Sequence, residues 1–193
     1  MCASRKTRSQ PIVDVDLRLD WVFAYGSLMW SPEFAPVMRR RATLVGHHRS
    51  LCLYSWHHRG TREHPGLVFG LDVGGCCVGT AQAFPLHATP RILARLDHRE
   101  LPDDSYVRRR VRLETEAGPL TAWAYLVNHA SVQYAGALDD GAIARLVAGA
   151  VGRRGTNADY VASTLAHLRD LDIAEPRWHA VAAAVDAGDH GVS

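Results

Sequence analysis

The chain places its strand-like segments before its helix-like ones, and that order limits the folds open to it. Short apolar runs dominate the first two thirds: Trp21–Tyr25, Ala42–Val45, Ser50–Tyr54, Leu67–Val73, Val78–Phe84, Tyr106–Leu113 and Thr121–Val127. Clusters of Gly, Pro and His separate them, as turns would. The last third carries apolar residues at helical spacing behind polar starts, over Asp139–Val151, Asn157–Leu171 and Pro176–Ala187. The segment Gly152–Asn157 punctuates the first two. This is not βαβ alternation. It predicts an α+β fold built on a curved sheet or small barrel.

One helix interrupts the strands. Thr89–Glu100, TPRILARLDHRE, has Thr89 available as a cap, Pro90 at the first helical position and Pro102 just past the end. Its apolar stripe is Ile92, Leu93 and Leu96. On the helical wheel Glu100 falls between Leu93 and Leu96, on the apolar side.

At 193 residues the chain fits one domain with a real core. We expect that domain over 21–187, a disordered tail over 1–20 and a short tail over 188–193. A net charge of +2 is too small to argue for nucleic acid or a membrane surface. No apolar run approaches the length of a membrane span. The start, MCASRKTRSQPIVDVD, lacks the continuous apolar segment of a signal peptide, and Cys2 follows no such segment. A cytoplasmic protein is expected. Cys2, Cys52, Cys76 and Cys77 fit reduced thiols better than a disulfide frame, since neighbours on a strand point to opposite faces. Nothing in the sequence speaks to oligomeric state.

Several groups could carry chemistry. In WVFAYGSLMW (Trp21–Trp30) an apolar strand stops at Gly26-Ser27. Glycine permits unusual backbone angles and close approach of a ligand, and such a turn aims N–H groups at an anion or oxyanion. Ser27 reads either as a nucleophile or as a turn residue, but no G-x-S-x-G elbow surrounds it. Glu100 also has two readings. Desolvation on the apolar side would raise its pKa and suit an acid/base, whereas at a frayed helix end it would pair with Arg99 or Arg95. The doublets His47-His48 and His57-His58, even with Cys76 and Cys77, match no zinc spacing, so no metal is expected.

Along YVRRRVRLE, Arg108, Arg110 and Arg112 share one face, most simply a solvated one. Val107, Val111 and Leu113 share the other with Arg109, which would pair with a carboxylate or lie exposed near the strand end. In Asn128–Leu138, NHASVQYAGAL, Tyr134 either lines a pocket or packs.

Taken in order, several segments resemble the ChaC-like family of γ-glutamylcyclotransferases, its glutathione-specific branch. The pieces are WVFAYGSLMW, RSLCLYSWHHRGTREHPG (Arg49–Gly66), GLDVGGCCVGTAQAF (Gly70–Phe84), LDHRE (Leu96–Glu100), AYLVNHASVQYAGAL and VGRRGTNADYVASTLAHLRDLDI. The resemblance runs from Trp21 to about Val185. It implies a small mixed β-barrel flanked by helices. It implies that Tyr25, Gly26, Ser27 and Leu28 hold a γ-glutamyl group, with Val22, Phe23 and Ala24 in the same wall. Glu100 would be the catalytic acid/base and Tyr134 a substrate contact. The implied reaction is a lyase reaction: glutathione gives 5-oxoproline and cysteinylglycine by intramolecular aminolysis, with no cofactor. Cyclisation of other γ-glutamyl amino acids or amines, or binding without turnover, are the alternatives. Two positions depart from the pattern. Ala24 stands where many relatives have glycine, and LPDDS (Leu101–Ser105) replaces a glycine-bearing loop.

Overall fold

The computed structural model describes residues 18–188. Five strands, β1 (Leu19–Ala24), β2 (Met38–Ser55), β3 (Gly66–Pro85), β4 (Tyr106–Thr115) and β5 (Leu120–Val127), close into a barrel in the order β1-β3-β2-β4-β5. Four seams pair antiparallel partners at length or in part. The seam that closes the barrel is parallel, at Val22 opposite Trp123. The helices are α1 (Thr89–Glu100), α2 (Asp140–Gly149), α3 (Asn157–Asp170) and α4 (Pro176–Gly188). Between α2 and α3, β6 (Val151–Gly152) and β7 (Gly155–Thr156) form a minimal hairpin. The expected α+β architecture, a small mixed barrel flanked by helices, is what the chain adopts.

Four of the expected strands are halves of two. Ala42–Val45 and Ser50–Tyr54 lie within β2, and Leu67–Val73 and Val78–Phe84 within β3. The intervening glycines bend the ribbon instead of reversing it. Gly46, Gly74 and Gly75 sit at φ of +88°, +103° and +65°, where the pairing register slips between Val45 and His47. Left-handed glycines admit such a bulge without ending the ladder. The true reversal is the 56–65 loop. His47 and His48, expected in a turn, are therefore strand residues.

Of the tails expected at 1–20 and 188–193, residues 1–17 and 189–193 lie outside the described residues. The remainder correct that expectation: Leu19 and Asp20 open β1 and Gly188 closes α4. Asp20 is buried because donors surround it. Its Oδ1 accepts from the Trp21 N–H (2.9 Å) and Arg110 (2.6 Å), and its Oδ2 from Thr89 (3.0 Å) and Trp123 Nε1 (3.0 Å). Thr89 thus ties α1 to β1 and does not cap it; the N-cap is Ala88. Arg110 is not simply solvated, and neither is Arg108, which pairs with Asp97. Arg109 is exposed.

The two faces of β1 feed two cores. Trp21, Phe23 and Tyr25 fill the barrel with Leu44, Leu71, Leu113 and Ala124. Val22 and Ala24 point outward and pack with Leu96 of α1 and with residues of α2, α3 and α4, Trp178 among them. Each large side chain buried this way contributes about 1.5–3 kcal/mol. Beyond the reach of β1, the free edge of β3 is completed by side chains. Asn157 accepts from the Leu67 N–H (2.6 Å) and donates to the Leu67 C=O (2.7 Å). Tyr160 accepts from the Phe69 N–H (3.2 Å), and Tyr106 donates to the Phe69 C=O (3.0 Å).

Candidate active site

β1 ends at Ala24, and the chain turns through Tyr25 and Gly26 into a single 3-10 turn, Ser27–Met29. Gly26 has φ −136°, outside the left-handed region, so its backbone angle does not require glycine. A Cβ at Gly26 would meet no atom within 4 Å; the space above the turn is open. The turn is held from three sides. The Met29 N–H donates to the Gly26 C=O (2.9 Å), and fully buried Gln82 donates to the Leu28 C=O (2.9 Å). Arg49 Nε donates to the Tyr25 C=O (2.7 Å). The Arg49 side chain is wholly buried; it also donates to the Val78 C=O and pairs with Glu175 just before α4. A buried guanidinium needs such complete satisfaction. Val22, Phe23, Ala24, Tyr25 and Leu28 are all buried, so in this structure their side chains support the turn as core residues.

α1 delivers Glu100 to the same place. Its predicted bounds and stripe are those observed: Ile92, Leu93 and Leu96 are buried, and Glu100 is the last helical residue. The Glu100 side chain is 19% exposed, and Arg99 Nε lies 3.0 Å from its Oε1. The carboxylate is thus desolvated, as its place on the apolar side implies, and also paired. Burial raises its pKa; Arg99 opposes that, the charge of Glu33 adds to it, and the net shift is upward. Arg99 also donates to Ser27 Oγ (2.7 Å), so one guanidinium spans the turn and the carboxylate. Ser27 has an arginine, not a general base, at its oxygen, which removes the nucleophile reading.

Three tyrosines lie within range of the charge of this carboxylate. Tyr25 and Tyr106 have hydroxyls held well above the ordinary range, by burial first and with the charge of Glu100 contributing. Tyr160 is raised for the same two reasons, with Arg59 over its ring at 5.1 Å. They stay neutral phenols at physiological pH. Sequence reasoning missed Tyr106, Tyr160 and the role of Arg99. Tyr106 opens β4 six residues after Glu100, and that position was the available signal. Tyr160 reads from periodicity only as a core residue.

Tyr134 belongs to a neighbouring group. The 133–135 segment adds to β2 at its second bulge, through Tyr54 N–H to Gln133 C=O and Ala135 N–H to Cys52 C=O (both 2.8 Å). The Tyr134 hydroxyl donates to Asp72 Oδ2 (3.1 Å), and His129 Nε2 lies 2.6 Å from Asp72 Oδ1. Burial and the Asp72 carboxylate push the Tyr134 hydroxyl up to about 12. These residues line a cavity of about 290 Å³ together with His48, Ser50 and Arg177. The Leu101–Ser105 loop is fastened nearby: Asp103 accepts from the Ser105 N–H (2.9 Å), and Asp104 accepts from Ser131 Oγ (2.7 Å). Among the described residues, no three His, Cys, Asp or Glu side chains converge as metal ligands would.

A family model described as ChaC-like protein matches residues 20–186. The glutathione-specific γ-glutamylcyclotransferase of Escherichia coli K12 is 34% identical over 144 residues, which is 74% of this chain and 62% of that relative, so the match spans less than two thirds of its length. The human glutathione-specific γ-glutamylcyclotransferase 1 is 31% identical over 182 residues, 92% of this chain and 82% of the relative. The crystal structure of a γ-glutamyl cyclotransferase specific to glutathione from yeast superposes with a TM-score of 0.78. At 19% identity, over 88% of this chain and 96% of that one, the superposition shows a shared fold.

Proposed function

The chain belongs to the ChaC-like family, and from that premise we propose that it is a glutathione-specific γ-glutamylcyclotransferase, a lyase releasing 5-oxoproline and cysteinylglycine. The observation that carries this reading is the desolvated Glu100, held beside the open Gly26–Ser27 turn by one arginine. The names of the relatives supply the substrate class.

In this mechanism the γ-glutamyl α-amine attacks its own γ-carbonyl carbon. A carbon–nitrogen bond forms, closing a five-membered ring, and the amide bond to cysteine breaks. The α-ammonium gives up one proton before attack and the ring nitrogen a second as the bond forms; Glu100 takes one of the two and solvent the other. Glu100 then returns a proton to the departing nitrogen, so that cysteinylglycine leaves as a neutral amine. Burial suits Glu100 to both transfers, because a raised pKa makes the carboxylate a stronger base and lets it keep the captured proton until it is returned. N–H groups at the Gly26–Ser27 turn hold the glutamyl carboxylate or the oxyanion. Tyr25, kept neutral, is a further donor on that wall, and Tyr134 is a substrate contact at the adjoining cavity. Nucleophile and electrophile share one molecule, so folding the substrate against these walls supplies much of the acceleration.

The test is incubation with glutathione, without added metal, measuring both products by mass spectrometry. Wild type should give 5-oxoproline and cysteinylglycine in equal amounts. Glu100→Gln should lose activity by about 10²–10⁴-fold while remaining folded. Wild-type turnover in that variant would remove Glu100 from the mechanism. Silence from folded wild type with glutathione would turn the reading to another γ-glutamyl donor, or to binding without turnover.

A further inference from the structure

Arg99 does more than neutralise its neighbour on α1. Each nitrogen of its guanidinium is engaged. Nε meets Glu100 Oε1 at 3.0 Å, and Nη2 donates to Ser27 Oγ at 2.7 Å. Nη1 donates to the Ser31 C=O at 2.7 Å and to Glu33 Oε1 at 2.9 Å. The side chain is 24% exposed. Three separate parts of the chain therefore meet on one planar cation: the end of α1, the turn after β1 and the segment leading to β2. A lysine carries the same charge but cannot reproduce this fork.

We propose that Arg99 is a positioning residue for the reaction, fixing Glu100 through Oε1 and the Ser27 turn through Oγ, so that Oε2 faces the substrate's amine at a set distance. Glu33 is the counterweight, drawing on the same guanidinium and thereby limiting how far Arg99 stabilises the Glu100 carboxylate. This rests on Glu100 being the acid/base.

The charges around Glu100 fall into a short set. Arg99 favours its ionised form and Glu33 opposes it, while Tyr25, Tyr106 and Tyr160, neutral phenols, lie within range of its charge. Arg95 reaches Glu33 at 3.7 Å from the exposed side of α1. Ionised Glu100 is the competent base, so kcat falls as pH drops through its pKa. Deleting the Arg99 charge moves that acid limb to higher pH. Deleting the Glu33 charge moves it to lower pH.

The experiment measures kcat against pH for wild type, Arg99→Met, Arg99→Lys, Glu33→Gln and Glu100→Gln, with thermal melts on each. Arg99→Met should raise the acid limb by about one pH unit and cut the plateau kcat about tenfold or more. Glu33→Gln should lower the limb. Arg99→Lys should keep the limb near wild type but still lose about tenfold in kcat, since charge survives and the fork does not. A merely structural arginine would not shift the two limbs in opposite directions. If neither limb moves while Glu100→Gln is inactive, the positioning role is overturned and the base stands. If Glu100→Gln is active, the base assignment itself fails. Should Arg99→Met not fold, Glu33→Gln and Arg99→Lys decide: an unmoved limb in the first, or full kcat in the second, overturns the proposal.

Discussion

Burying Glu100 works against the fold at neutral pH. Its pKa is raised in the folded state, so the folded chain holds the proton more tightly than the unfolded one. Below the ordinary glutamate value both states are protonated and there is no penalty. As pH rises through the window between that value and the raised one, the unfolded chain ionises first and stability falls. Glu100→Gln should therefore melt at wild-type Tm or up to about 3 °C above it at pH 7. A Tm several degrees below wild type, read by calorimetry, would contradict this. Asp20 has the opposite sign. Burial alone would raise its pKa, but the Trp123, Arg110, Trp21 and Thr89 hydrogen bonds outweigh burial and lower it. Its contribution is present at neutral pH and lost as pH falls through the lowered value. Glu100 was legible in the sequence because helical periodicity says which face a residue takes. Arg99 was legible only as a possible partner. Periodicity does not say where a long side chain folds back, and three of its four acceptors lie 66–72 residues earlier in the chain. Tyr134 was legible as a residue of a loop rich in hydrogen-bonding groups. Its attachment to Asp72 depends on how β3 and the 128–138 loop are brought together.

At the scale of elements, side chains complete what strands leave open. Past the end of β1, the edge of β3 has buried polar groups and no neighbouring strand among the described residues. Asn157, at the start of α3 and fully buried, satisfies both groups of Leu67. Replacing it with leucine keeps the branched shape and strands one donor and one acceptor. Asn157→Leu should cost about 2–5 kcal/mol. Urea denaturation checks the loss, and accelerated exchange of the Leu67 amide locates it. A change below 1 kcal/mol would show that water reaches that edge. The elements were read from sequence unequally. α1 matched residue for residue because Pro90 and Pro102 fence it. The long β2–β3 ribbon was read as four strands because Gly46, Gly74 and Gly75 are the same residues that would serve a tight turn. Only their setting in a paired ladder separates a bulge from a reversal. Asp139, whose side chain caps α2, is the polar start expected there, whereas α3 is capped by Thr156, one residue before its expected start.

For the molecule as a whole, the cysteines report how closed it is. Burial pushes the Cys52 thiol up to about 12 and the Cys77 thiol up to about 11, and both lie in packed cores. Cys76, next in sequence to Cys77, is exposed. Iodoacetamide at pH 8 should alkylate Cys76 readily. It should reach Cys52 and Cys77 more slowly by about 10³-fold or more, as the fold opens. Peptide mass spectrometry over a time course distinguishes this from equal labelling, which would mean the barrel breathes. The sequence showed that strands precede helices and that the sum is α+β. It did not show that the sheet closes. Closure depends on β1 finding β5, and that contact leaves no periodic trace in either segment.

That closing seam also sets an order of assembly. β1 is the first strand among the described residues, yet its two edges are met by residues 80–85 and by Trp123. The β2–β3 ribbon needs only its own neighbours in the chain. The strand that leads into the Gly26–Ser27 turn thus waits, half-paired, until residue 123 of 193 has been made. A nascent or truncated copy ending before β5 contains both the turn and Glu100 in its sequence without the enclosure that joins them. Such a copy has the residues of the site before it has the site.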